Sequence, residues 1–236
     1  MNARPYKYYD LVMALFVTVL LLSNLLSSAK IIDLGVQIGP IPLAFDAGTL
    51  VFPISYIFGD ILTEVYGYKR SRRVIWMGFF ATALMGFFVW LAGILPGESG
   101  WKAAVGQDAY NAVLGGISGL IVASLVAYWV GEFSNSYVLA KMKILTKGRW
   151  LPTRTIGSTL VGQGVDTITF FIIATLLGVF PPDIFISLVL TNYILKVGIE
   201  VIFTPLTIQI VNGLKRAEQE DYYDYNTDFN PFKVSI

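Results

Sequence analysis

Apolar residues in this chain come in long blocks, not in the alternation of a half-buried strand or the one-sided stripe of a surface helix. Six blocks are long enough to cross a bilayer core, which takes about 20 residues at a rise of about 1.5 Å each. They cover 11–29, 43–66, 74–95, 109–131, 155–180 and 184–211, and the first and third contain no charge. The fourth can continue as an amphipathic helix to Lys141. Pro181 and Pro182 stop the fifth, and Pro205 interrupts the sixth. Pro53 removes a backbone hydrogen bond to Thr49 and is expected to kink the second. The pattern predicts an all-α polytopic membrane protein, with six transmembrane helices in 1–214. The remainder, 215–236, is rich in Glu, Asp, Tyr and Asn with few aliphatics, and reads as a mobile cytoplasmic tail.

Charge fixes the orientation of this scheme. Arg4 and Lys7 precede the first block. Lys69, Arg70, Arg72 and Arg73 join the second to the third. Lys141, Lys143, Lys147, Arg149 and Arg154 join the fourth to the fifth, and Lys215, Arg216 and Lys233 follow the sixth. The alternate connections hold only Lys30 and Lys102. Six spans with both termini in the cytoplasm gather every basic cluster on one side, whereas five or seven do not. Arg72 and Arg73 therefore read first as topological anchors, with a part in a cytoplasmic gate as the alternative.

Composition agrees, at 55% hydrophobic and 14% charged residues, and it also excludes chemistry. The chain has no His and no Cys. Disulfides, thiolate metal sites, Cys nucleophiles and His-dependent hydrolases, including Ser-His intramembrane proteases, are ruled out. There is no Walker A sequence, so the chain does not hydrolyse ATP itself. Without an Asp-rich metal motif, an enzyme acting on a lipid or isoprenoid is disfavoured; neither metal nor cofactor is expected. The first block ends in Ser-Ala-Lys and reads as a mature span, not a cleaved signal.

Ionisable residues inside the blocks carry the functional argument. Asp46, Asp60, Glu64, Glu132, Asp166, Lys196 and Glu200 lie within or at the edge of the spans, where a charge is costly unless it is paired or faces a wet cavity. Asp46, at the outer start of the second block, suits a capping or interfacial role. Asp166 lies about 18 Å from the cytoplasmic end of its helix, and Lys196 about 18 Å from the outer end of its own. Across a core of ~30 Å they differ in depth by only ~6 Å, so they can pair or share a cavity. Asp60 is about 25 Å from the outer end, in the inner third, and Glu64 lies one turn lower, near the headgroups, where it reads as interfacial or gating.

Each deep charge has polar company at helical spacing. Tyr56, Asp60 and Glu64 share one face of the second helix. Thr159, Gln163, Asp166 or Thr167, and Phe170 share one of the fifth; Asn192, Lys196 and Glu200 form a stripe on the sixth. Ser124 and Tyr128 lead to Glu132 and Asn135 on the fourth, and Asn24, Ser27 and Ser28 sit near the outer end of the first. Structural ion pairs would account for one such stripe. Four stripes together point to a polar cavity. Carboxylates, amides, one ammonium and nearby rings, among them Phe170 and Tyr193, suit a small flat solute with both donors and acceptors better than a lone cation.

Four stretches carry a resemblance: FPISYIFGDILTEVYGYKRSRRVIW from Phe52, GEFSNSYVLAKMK from Gly131, STLVGQGVDTITFF from Ser158 and NYILKVGIEVIF from Asn192, with Leu22-Ser-Asn-Leu25 in addition. Together they resemble the queuosine precursor transporter family, also called the vitamin uptake transporter family. Matching positions are Asn24, Phe52, Pro53, Asp60, Gly67, Arg72, Arg73, Asp166, Thr167 and Lys196, whereas Glu64, Glu132, Asn192 and Glu200 fall where the family varies. The resemblance implies an inner-membrane importer of 7-cyano- or 7-aminomethyl-7-deazaguanine for tRNA modification salvage, with a fold akin to energy-coupling-factor substrate-binding subunits. For such a solute the polar stripes suggest Asp166 and Gln163 at the guanine-like edge with help from Asn192 and Asn24, Lys196 balancing charge or donating to a ring carbonyl, and Asp60 in the cavity or its gate. Glu64, Glu132, Glu200, Arg72 and Arg73 take gate or secondary roles. The partners implied are the solute and the lipid bilayer, with no nucleic acid; a homo-oligomer stays open. The alternative is a substrate-capture subunit of an ATP-driven vitamin or purine uptake system. The bulky first helix, with no Ala-xxx-Ala face to dock on an ATPase module, weighs against it.

Overall fold

The computed structural model describes residues 6–38, 41–178, 182 and 185–233. Arg4, Pro181 and Ile184 lie outside them, as do the side chains of Asp46, Phe52, Pro53 and Tyr56. In chain order come α1 (Tyr9–Ala29), a hairpin of β1 (Ile31–Ile38) and β2 (Ile41–Asp46), and a 3-10 turn (Ala47–Leu50). Then follow α2 (Phe52–Tyr66), α3 (Tyr68–Ile94), and two short helices, α4 (Ser99–Ala104) and α5 (Gln107–Tyr110). A π turn (Asn111–Gly115) leads into α6 (Gly116–Leu145), α7 (Leu151–Leu176) and α8 (Phe185–Glu218). Among the described residues, four of these helices are long and apolar enough to cross a membrane: α1, α3, α7 and, from Leu188, α8.

The molecule is apolar outside and polar within. Leu22, Phe80, Phe88, Ile172, Ile194 and Ile202 are exposed, while Asp60, Glu64, Glu132, Arg154, Gln163 and Glu200 are buried. That inversion suits lipid as the outer solvent, because helices satisfy their own backbone and need only apolar side chains facing the hydrocarbon. Helix α2 is the axis of the bundle. It packs against α1, α3, α6 and α8, and every residue from Ile61 to Tyr66 is buried. Its carboxylates must therefore meet their partners inside the protein.

The second span departs from the expected 43–66. Residues 41–46 pair antiparallel with β1 (Ile31↔Asp46, Ile38↔Ile41), so the bundle is not purely helical. A short apolar run does not distinguish strand from helix by periodicity, and Pro42, with no N–H, is at home on the edge of a two-stranded ribbon. Helix α2 then starts at Phe52 with Pro53 in its first turn, where the missing N–H costs nothing and no kink results. Its 15 residues rise about 22 Å, and the preceding 3-10 turn extends the path. Pro205 does not interrupt the last helix either. Thr204 Oγ1 donates to Glu200 O at 2.9 Å and Thr207 Oγ1 to Phe203 O at 3.2 Å, so hydroxyls engage carbonyls around the missing N–H.

Two backbone contacts position the polar interior. Gly67, at φ +84°, turns α2 directly into α3, and a Cβ there would stand 2.2 Å from the Tyr222 ring. At the α6–α7 crossing Gly131 faces Gly162: a Cβ on Gly131 would lie 2.7 Å from Asp166 Cβ, and one on Gly162 would lie 2.6 Å from Asn135 Cβ. The pair brings the two backbones into contact, as small residues do at membrane helix crossings, and sets Asn135 and Asp166 on either side of it. Gly162→Leu is expected to force the helices apart, at roughly 1–3 kcal/mol or more of overpacking. Melting of the purified variant in detergent checks this; an unchanged midpoint would show that the crossing relaxes freely.

The tail also differs from expectation. Residues 219–233 do not trail away but strap the basic end of the bundle. Tyr222 N donates to Val65 O at 3.3 Å, Tyr68 N to Asp224 Oδ2 at 3.0 Å, and Trp76 Nε1 to Pro231 O at 2.8 Å. Phe229 packs on Tyr68 with ring centroids 4.9 Å apart and lies under the Lys141 ammonium at 4.1 Å. A segment poor in aliphatics is held by aromatic rings and its own carbonyls. Glu218, the last residue of α8, accepts from Tyr8 N at 2.7 Å and Tyr66 Oη at 2.8 Å, which ties the chain's beginning to the same end.

Candidate functional site

Two polar centres lie inside the bundle, one at its middle and one at its basic end. The middle centre grows from the inward stripe of α7: Ser158, Thr159, Gly162, Gln163 and Thr167 are all buried. Asp166 lies beside this stripe, and its Oδ2 meets Lys196 Nζ of α8 at 2.8 Å, with the two side chains 18% and 25% exposed. Pairing was the structural alternative to a cavity, and here it accounts for one carboxylate of four.

The other three have no ion pair among the described residues. Asp60 is fully buried; Asn135 Nδ2 reaches its Oδ1 at a long 3.4 Å, and Oδ2 has no partner. Glu132 lies against α2, its Oε2 3.3 Å from where a Cβ on Gly59 would stand, and that oxygen is also without a partner. Glu200 stands beside Thr159, with its own Oε2 unpartnered. Glu132 is within electrostatic reach of Asp60, Asp166 and Glu200, and Asp60 of Glu200, yet the four are not grouped closely enough to hold a metal ion.

Gln163 completes the centre. It has no exposed surface, and neither its Oε1 nor its Nε2 has a hydrogen-bond partner. Asn135 Oδ1 and Thr167 Oγ1 are in the same position. A buried polar group left unpaired costs about 1–3 kcal/mol, so such a concentration at one level of a bundle marks groups held in reserve.

The remaining candidates are placed less centrally. Asn192 Nδ2 donates to Leu188 O at 3.0 Å and Asn24 Nδ2 to Leu20 O at 2.9 Å, each within its own helix. Asn24 sits on α1, which packs chiefly on α2, α3 and the 3-10 turn. Tyr193 Oη donates to Leu160 O at 3.0 Å, clamping α8 to α7, and Phe170 packs edge-on against Phe171.

The basic-end centre is built on Glu64, which is fully buried within the protein. Its Oε1 accepts from Arg154 Nη2 at 2.6 Å and from Lys215 Nζ at 2.6 Å, with Lys143 Nζ 3.5 Å away. Lys143 also donates to Glu64 O at 2.6 Å, Tyr222 O at 2.7 Å and Asp221 Oδ1 at 2.6 Å, and Asp221 lies 2.7 Å from Lys215. Burial opposes the charge on Asp221, but hydrogen bonds and charge from Lys143 and Lys215 outweigh it and hold its carboxyl below the ordinary range. Arg154 Nη1 further donates to Arg149 O. The hub joins α2, α6, α7, α8 and the tail. Arg72 is buried too, its Nη1 donating to Asp228 O at 2.8 Å and Asn230 O at 2.5 Å, whereas Arg73 is exposed.

Sequence reasoning missed Lys143, Arg154 and Lys215, because all three had been assigned to loops as orientation charges. One signal was available. Carried one turn back from Ser158, the inward stripe of α7 passes through Arg154 and Thr155, both buried.

A sequence family described as "Putative vitamin uptake transporter" matches residues 46–210. A "Probable queuosine precursor transporter" of Bacillus subtilis is 29% identical over 159 residues, covering 67% of this chain and 68% of its own. One of Haemophilus influenzae is 25% identical over 178 residues, covering 73% and 71%. No solved structure matches. The family match runs from the end of the hairpin into α8 and takes in the whole middle centre, with Glu64, Lys143 and Arg154 of the basic-end centre, and the chain belongs to the vitamin uptake transporter family of multi-pass membrane proteins.

Proposed function

We propose that this protein imports a queuosine precursor, 7-cyano- or 7-aminomethyl-7-deazaguanine, across the inner membrane for tRNA modification salvage. The observation that carries the reading is the set of buried, unpartnered groups contributed by four helices: Asp60, Glu132, Asn135, Gln163, Thr167 and Glu200. A deazaguanine offers adjacent N–H donors and a carbonyl on one edge of a flat ring. Carboxylates accept the donors and the Gln163 amide can serve either kind of edge atom. Asp166 binds the guanine-like edge beside Gln163, Lys196 balances its charge, and Asn192 assists one turn away on α8. Asn24, on α1, contributes from the rim. The names of the two relatives support the substrate class.

In this reading there are six spans, α2 and α6 joining the four longest apolar helices, with both termini cytoplasmic. The convergence of Arg72, Lys143, Arg154, Lys215 and the tail at one end of the bundle supports that orientation, since basic residues are retained on the cytoplasmic side. The Glu64 hub and its strap close the cytoplasmic side when the site faces outward, and the exchange of access opens them. No ATPase subunit is needed.

Two measurements test the proposal. A thermal-shift screen of both deazaguanines, guanine and unrelated vitamins should stabilise the purified protein with deazaguanines alone. Uptake into liposomes by the protein alone should follow, and Asp166→Asn should reduce it by at least about tenfold, the worth of one charge-assisted hydrogen bond, with the variant still inserted and monodisperse. Stabilisation by none of the deazapurines overturns the substrate; normal uptake by Asp166→Asn overturns the site.

A further inference from the structure

We infer that the middle centre selects a solute bearing a positive charge: a flat, donor-rich heterocycle with a primary ammonium, in preference to its neutral counterpart. The inference rests on the transport reading and narrows its substrate. Glu132 lies within electrostatic reach of Asp60, Asp166 and Glu200, and Asp60 of Glu200, while Lys196, bonded to Asp166, sets a single ammonium against these four carboxyl groups. The other interior cations are engaged elsewhere. Arg154, Lys143 and Lys215 converge on Glu64 and Asp221, and Arg72 on the carbonyls of the tail.

The atoms agree with the charges. Asp60 Oδ2, Glu132 Oε2 and Glu200 Oε2 each lack a partner, and they come from α2, α6 and α8, so they approach from three sides. Gln163, fully buried and unpartnered at both amide atoms, lies on α7 between Thr159, which stands at Glu200, and Asp166, which stands within reach of Glu132. The four side chains divide the work of recognition. The amide suits a neutral ring edge with mixed donors and acceptors. The carboxylates, which can only accept while ionised, suit the three N–H donors of an ammonium. A nitrile in the same place would turn an acceptor toward acceptors, the kind of repulsive juxtaposition by which sites reject near relatives. The 7-aminomethyl compound is thus preferred to the 7-cyano compound.

The test compares affinities of the purified protein for 7-aminomethyl- and 7-cyano-7-deazaguanine, by calorimetry at neutral pH and one ionic strength. Wild type should favour the amine by at least about tenfold, and Glu132→Gln and Glu200→Gln should each shrink that ratio toward one. Nitrile binding equal to or tighter than amine binding overturns the inference while leaving the transport reading intact; it would mean that bound protons balance the carboxylates. A ratio that neither variant moves also overturns it. Binding of neither compound removes the transport reading, and the inference falls with it. If a variant misfolds, the wild-type ratio alone decides.

Discussion

Glu64→Gln is expected to lower the stability of the protein by roughly 3–5 kcal/mol, the usual consequence of removing one partner from a buried ion pair. For a chain of this size that is a fall in melting midpoint on the order of 10 °C. The substitution keeps the shape of the side chain and removes the anion on which Arg154 and Lys215 converge at 2.6 Å, with Lys143 close by. Asp221 alone would then face three cations, and it touches only Lys143 and Lys215. Arg154, with no exposed surface, has no other carboxylate among the described residues. Lys215→Met should cost less, because Lys215 is the partly exposed member of the hub. In a double-mutant cycle Glu64→Gln with Arg154→Met should be milder than the sum of the two, because neither charge is then stranded. Melting of wild type, the three single variants and the double variant in one detergent checks the scheme, and a Glu64→Gln variant within a degree or two of wild type would remove the hub as a source of stability.

Gln163→Met should move stability and transport in opposite directions. Methionine approximates the volume of glutamine and has no strong donor or acceptor to leave unpaired. Since both amide atoms of Gln163 lack partners, the variant is expected to gain about 1–3 kcal/mol, or several degrees in melting midpoint. Uptake should fall by at least about tenfold, because the amide is then missing from the solute. The signs matter more than the sizes. A less stable variant would show that the amide is satisfied in the resting protein, and a more stable one with full uptake would show that it plays no part in binding.

The sequence disclosed the bundle better than its junctions. Apolar blocks and basic loops located the long helices, because the bilayer imposes length and sign on them directly. The hairpin before α2 was hidden, since a continuous apolar run near Pro42 has no period to betray a strand. Pro53 and Pro205 were read as faults, but one occupies a first turn and the other lies among threonines whose hydroxyls engage nearby carbonyls. In the tail, low aliphatic content masked an ordered strap held by Tyr222, Phe229 and hydrogen bonds to its carbonyls. The middle centre was largely visible as polar stripes, and depth arithmetic put Asp166 and Lys196 near one level, where they are bonded. The hub was not. Its three cations come from separate stretches of chain, and only the folded bundle brings them to Glu64.

That last fact also sets an order of events. Glu64 is followed by Arg154 after 90 residues and by Lys215 after 151. At roughly 5–20 residues per second, the ribosome delivers the first of these cations about 5–20 s after the carboxylate, and the other later still. Until then α2 carries an uncompensated charge and gains by keeping it at the aqueous boundary. Seating of α2 as the axis of the bundle therefore waits on residues that the ribosome delivers 90 and 151 positions after Glu64.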